Sequence, residues 1–241
     1  MKNVMMNGPI KDLRISLSNF LIMQWETNSN ELFVVIYAMN PFSKLTLSAD
    51  EQQLVTNTGW ILTKRKITGK VDQLLGHVSV LQQAMLAKEK NWLPDAVLTS
   101  APKIARGENY LGLPYLLLDY PRCFSGDDIF AVRTMFWWGN FFSITLHLSG
   151  KYKAMFQQKI IDHVRTVQEQ VFICVHESQW QHHFEADNYM AVEQMAAEDL
   201  LQSIREKSFV KLAIPFPLQA WNDIPLLLDK AFAEIIIMLK D

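Results

Sequence analysis

A chain of 241 residues, 49% hydrophobic and 20% charged, has the composition of a globular protein and excludes a disordered polymer. A formal net charge of -2 and a pI near 6.3 supply none of the basic field that nucleic-acid binding requires. Two cysteines, Cys123 and Cys174, are too few for a disulfide framework and point to a reducing compartment, with the cytoplasm as the default.

At this length folding hides roughly 70–75% of the extended chain's surface, so one globular domain, residues 1–241, is expected to stand without staples. No repeat, low-complexity tract or linker suggests a cut. The first nine residues lack an apolar core followed by a small-residue cleavage site. No apolar stretch approaches the ~18–20 residues that span a bilayer, so no membrane partner is expected.

In chain order, residues 12–26 read as a helix, with Leu13, Leu17, Phe20, Leu21 and Trp25 at helical spacing. Leu32–Ala38 reads as a buried strand. Ser48-Ala49-Asp50-Glu51 is a capping box that opens a helix ending at Gly59. Residues 60–66 alternate as a strand, and the basic run Lys64-Arg65-Lys66 is read as its solvated end rather than as a phosphate contact. Residues 70–92 form the clearest helix, striped by Val71, Leu74, Leu75, Val78, Leu81 and Met85. Residues 96–99 suggest a short strand, and 100–114 a long loop.

Three strand segments follow: 115–120, 129–138 and 141–149. The last two flank Gly139-Asn140, a two-residue hairpin signal. Helices are then expected at 151–168, 188–206 and 224–239, the last capped by Asn222 or Asp223 with Pro225 in its first turn. They alternate with strands at 171–175 and 209–216. The fold class is α+β, a mixed, largely antiparallel central sheet with helices covering it.

The hairpin carries the chemistry. A Gly139-Asn140 loop sets Trp138 opposite Phe141, Arg133 opposite Leu146 and Val132 opposite His147. Arg133 then lies among apolar neighbours, while His147 takes the other face. A guanidinium cannot shed its proton, so a buried one needs an acid or a bound anion. Asp119, inside an apolar strand, is the same oddity with opposite sign. A symmetric register places it opposite Val132, and a shift of one residue places it opposite Arg133.

Two readings follow. In one, Asp119, Arg133 and His147 form a polar pocket for a small anionic or polar ligand, with Lys103, Arg106 and Tyr110 of the long loop at its rim. In the other, these residues are structural and the protein is an interaction partner, a homodimer among the options. Neither GxGxxG nor a P-loop occurs. His176, His182 and His183 lie near Glu177, Glu185 and Asp187, but their spacing matches no metal motif. No cofactor is expected. Nucleophilic catalysis has little support, since Cys123 is flanked by Arg122 but also by Asp127 and Asp128. Trp137 and Trp138, being consecutive, point to opposite faces of a strand.

Overall fold

A computed structural model describes residues 20–26, 32–38 and 45–240. The chain divides into two compact units, Met1–Leu62 and Thr63–Asp241. In the first, β1 (Phe20–Glu26) and β2 (Leu32–Ala38) pair antiparallel, with Phe20 opposite Ala38. The strand at β2 is as expected. The helix expected over 12–26 is corrected, because its second half is a strand in register with β2; residues 12–19 lie outside the described residues.

α1 (Ala49–Thr56) starts with the expected capping box. Ser48 Oγ accepts from the Glu51 amide at 3.2 Å, and the Glu51 carboxylate accepts from the Ser48 amide at 2.7 Å. The helix stops at Asn57, two residues short of Gly59. α2 (Thr58–Leu86) follows at once, most of it in the second unit. It absorbs the strand expected over 60–66, since Lys64, Arg65 and Lys66 are good helix formers. Its buried stripe, Val71, Leu75, Val78 and Leu86, keeps the helical spacing. Residues 96–99 are not a strand either. Residues 96–98 lie in a one-turn helix, α3 (Asp95–Leu98), and Thr99 is its C-cap.

The second unit is built on a seven-stranded sheet with helices packed on it, an α+β fold. Its strands are β3 (Lys103–Tyr110), β4 (Leu113–Ser125), β5 (Asp128–Trp137), β6 (Phe141–Ser149), β7 (Phe172–Cys174), β8 (Tyr189–Ala191) and β9 (Phe209–Pro217). They lie in the order β3-β4-β5-β6-β9-β7-β8, and every neighbouring pair is antiparallel. The chain leaves the sheet after β6 for α4 (Gly150–His163) and reaches β9 through α5 (Ala197–Glu206). It closes with α6 (Ile224–Met238). Pro225 occupies the first turn of α6, while Asp223 stands at its cap without a side-chain cap bond. The helix expected over 188–206 starts late, because residues 189–191 pair with β7 as β8. The loop expected over 100–114 is mostly the edge strand β3.

Register decides which side chains share a face. Trp137, not Trp138, stands opposite Phe141, so the loop has three residues. Gly139 has φ +75°, and the Asn140 amide donates to the Trp137 carbonyl at 3.1 Å. Glycine is therefore the third residue of a turn over 137–140, the position where a type II turn needs positive φ. Such a turn does not match strand twist in a two-residue loop, and Asn140 is the added residue. One residue of slip moves a whole strand's side chains to the other face. Arg133 consequently faces Thr145, and His147 faces Ala131, which corrects the expected pairing of Arg133 with Leu146. Arg133 and His147 share a face.

The opposite face is apolar. Leu116, Leu118, Phe130, Val132, Phe136, Phe142, Ile144, Leu146, Leu148, Val210, Leu212 and Ile214 are buried there together with Phe156, Ile160, Leu228, Phe232 and Ile235 from α4 and α6. At about 1.5–3 kcal/mol for each large side chain buried, this layer supplies the bulk of the driving force. Trp138 packs against it with Trp221. Trp137 lies on the other face, so the two tryptophans do separate.

Candidate functional site

The second face of the sheet is polar yet closed. Asp119, Ser143, Thr145, His147 and Lys211 are all buried, whereas a polar face of an antiparallel sheet ordinarily faces water. The cover is the connection from β7 to β8, residues 175–188, which has no regular structure of its own. A connection of this length in a compact unit is uncommon and tends to carry function. It lies over the sheet as a strap.

A bulge in β4 between Asp119 and Arg122 sets the register that puts Asp119 directly opposite Arg133. The bulge contains Pro121, which has no amide to give a ladder. Arg133 grips the carboxylate with two bonds, Nε to Oδ1 at 2.7 Å and Nη2 to Oδ2 at 2.8 Å. The third arm, Nη1, lies 3.1 Å from His182 Nε2 on the strap. Arginine only donates, so His182 Nε2 must accept and the ring must be neutral. Burial holds its pKa well below the usual histidine range, and the positive charges of Lys211 and Arg133 add to that.

His147, on β6, meets the strap at Gln179, with Nε2 and Oε1 2.7 Å apart. Its pKa is pushed down to about 4, chiefly by burial, with Lys211 and Arg133 adding to the effect while the Gln179 contact and Asp119 oppose it. Trp180 packs edge-on against the ring at 5.6 Å.

Lys211, on β9 opposite His147, is only 2% exposed. Its ammonium donates to the Gln181 carbonyl oxygen of the strap and lies 5.4 Å from the centre of the Tyr189 ring. Among the described residues no carboxylate pairs with it. Its pKa is lowered to about 8, chiefly by burial, with Cys174 opposing and the nearby Arg133 charge adding to the fall. Arg133, His147, His182 and Lys211 line one space of about 10 Å³, room for about one water.

Tyr110 pins the strap from the end of β3. Its hydroxyl accepts from the amides of His182 at 2.7 Å and His183 at 3.1 Å. It also lies 3.1 Å from His183 Nδ1 and 3.3 Å from Gln181 Oε1. Phe184 stacks on Tyr189, with centroids 4.6 Å apart.

Of the six residues expected at a pocket, four come together here: Asp119, Arg133, His147 and Tyr110. Lys103 stands opposite Asp119 in register but is exposed. Arg106 is corrected. It pairs with Leu116, on the helix-covered face, and its guanidinium reaches toward Asp72 at 4.0 Å. The histidine cluster divides: His182 turns to Arg133, and His183 bonds Asp187 at 3.2 Å. No group of three metal-ligating side chains occurs among the described residues. The Cys123 thiol donates to the Ala96 carbonyl, and burial raises its pKa although a bond with Tyr152 and the charges of Lys151 and Arg122 oppose the shift. Lys211 and the strap residues Gln179 and Gln181 are the participants the sequence reading passed over. A lone lysine inside the apolar run Phe209-Val210-Lys211-Leu212-Ala213-Ile214 is the signal that marks the first.

No known protein family, curated protein or solved structure matches the chain. No helix among the described residues is long and apolar enough to cross a membrane.

Proposed function

We propose that the protein binds a small anionic molecule beneath the strap, in the cytoplasm, with Lys211, Arg133 and His147 as its contacts and Asp119 holding Arg133 in position. The observation that carries this reading is the buried ammonium of Lys211, which has no carboxylate partner among the described residues. A buried charge left unpaired costs several kcal/mol. Sequences keep such a cost where activity requires it.

The charges in the layer support the same reading. Among the described residues Asp119 is the one carboxylate buried in the layer, and Arg133 already neutralises it. An arriving anion finds the Lys211 charge uncompensated and the third arm of Arg133 held only by a neutral imidazole, which an anionic oxygen replaces favourably. The reducing environment fits two free cysteines, Cys123 and Cys174.

Binding requires the strap to move, since ligand pockets measure about 300–1,000 Å³ against the 10 Å³ enclosed now. Polar contacts hold most of the strap over the site, and a ligand and water exchange for these at small net cost. The test is thermal unfolding with inorganic phosphate and with mono- and dicarboxylates. A ligand at 100 times its Kd stabilises by about 2.7 kcal/mol. At least one anion class is expected to raise the Tm of the wild type and to leave Lys211→Met and Arg133→Gln unmoved. Equal responses in all three proteins overturn the reading.

A further inference from the structure

Lys211 has a geometry that anion binding alone does not demand. Its amine sits on a central strand, walled by the sheet on one side and the strap on the other. Its hydrogen-bond acceptor, the Gln181 carbonyl, belongs to the segment that must lift. Opening the strap therefore removes the amine's partner at the moment a ligand enters. Two neutral imidazoles and a guanidinium line the same space. This groups an amine, a pair of proton carriers and an anion clamp.

We infer that Lys211 is a carbonyl-reactive amine that forms an imine with a small 2-oxo acid or an aldehyde acid, whose carboxylate Arg133 orients. The inference rests on the anion site proposed above and names its ligand class. In the reaction the free-base lysine nitrogen adds to the carbonyl carbon, a C–N bond forms, and one of the two amine protons passes to the carbonyl oxygen. The resulting carbinolamine loses that oxygen as water, which takes the second nitrogen proton, relayed through the neutral His147 ring. One C=O is replaced by one C=N and one water is released, with no oxidant or reductant consumed. A buried amine beside another cation is a known route to a nucleophilic lysine, and the fall of its pKa to about 8 leaves a substantial fraction as free base near neutrality.

The test uses the full-length protein, pyruvate and glyoxylate as probes, and borohydride to trap any imine. Intact mass and peptide mapping read the product, and lactate serves as an acid without a carbonyl. One reduced adduct per chain is expected, on Lys211. At pH 8 a lysine with a pKa of about 8 carries roughly 100-fold more free base than an ordinary one, so enrichment over exposed lysines of at least roughly tenfold is expected even with access slowed by the strap. Lactate should protect, and Lys211→Arg should lose the adduct while keeping the charge. Labelling spread over surface lysines, with none favoured at Lys211, overturns the imine even if the Arg variant fails to fold. If that result comes with an Arg133-dependent rise in Tm on adding lactate, the imine fails and the anion site stands. If phosphate and dicarboxylates as well as lactate and pyruvate leave Tm unmoved, and Lys211 is unlabelled, both fail.

Discussion

Asp119 and Arg133 face each other across β4 and β5, joined by two short bonds of 2.7 and 2.8 Å. The carboxylate is almost fully buried and the guanidinium mostly so. Removing one member strands the other, which costs about 3–5 kcal/mol, whereas replacing both with apolar side chains of similar size costs far less. Asp119→Ala is therefore expected to lower the urea midpoint strongly with an unchanged slope. Asp119→Leu/Arg133→Met should recover most of the loss. A double-mutant cycle on urea unfolding measures the coupling, and additive single effects would show that the pair is not a unit.

Lys211 makes the opposite prediction, because among the described residues its charge has no carboxylate to strand. Its pKa is about 8 in the folded protein and about 10.4 in an unfolded chain. Between those values the unfolded state binds more protons, so stability rises with pH across that window. The gap corresponds to about 3 kcal/mol, fully absent below pH 8 and recovered toward pH 10. Lys211→Met should flatten this slope and leave the protein at least as stable as wild type at pH 7. A variant that is markedly less stable at pH 7, with the slope intact, would locate the titration elsewhere.

His147 governs the acid side. Its folded pKa of about 4 lies below the unfolded value of about 6.5, so the unfolded state binds more protons between the two and stability falls as pH drops through that range. The loss attributable to this ring approaches about 3 kcal/mol by pH 4. His182 acts in the same direction. Urea midpoints at pH 7.5 and 4.5 should separate widely for the wild type and less for His147→Gln, which keeps a polar side chain under Gln179. An undiminished gap in the variant would exclude His147 as a source of the acid sensitivity.

The polar face was partly legible in the sequence because charged residues inside apolar strands are physically conspicuous. Asp119 in Leu116-Leu117-Leu118-Asp119-Tyr120 and Arg133 in Val132-Arg133-Thr134 announce buried charges wherever register places them. Register itself was not legible. Gly139 serves as the third residue of a four-residue turn, and that reverses the face of every β6 side chain relative to a two-residue loop. Two-residue hairpins occur instead at Gly126-Asp127, with Gly126 at φ +58° and Ser125 opposite Asp128 as a type II′ loop requires, and at Leu111-Gly112, with φ +49° and +83° and Tyr110 opposite Leu113 as in type I′. The residues around Gly126 looked like a longer loop because the charged pair Asp127-Asp128 hides the strand end. Helix and strand were confused at residues 60–66, where an amphipathic run too short to fix its period took its state from the long helix it joins. The strap was the least legible element. Its conformation comes from long-range bonds to Tyr110, Arg133, His147 and Lys211, which no local pattern encodes.

Those bonds make the strap's opening measurable. Tyr110 holds two consecutive strap amides with one oxygen, at a point where the strap makes no backbone ladder with the sheet. Tyr110→Phe removes that acceptor and little apolar volume, so the amides of His182 and His183 lose their partner in the closed state while the helix-covered core is untouched. Local opening free energies are set by such contacts and lie below the global value. Hydrogen exchange across residues 176–188 is expected to speed up by about tenfold, as follows from the loss of about 1.4 kcal/mol of hydrogen bonding, with exchange in β5 and β6 unchanged. If strap opening gates ligand entry, the same variant should also raise the association rate of any anion that stabilises the wild type. Unaltered exchange in the strap would mean that Arg133, His147 and Lys211 hold it closed without the tyrosine.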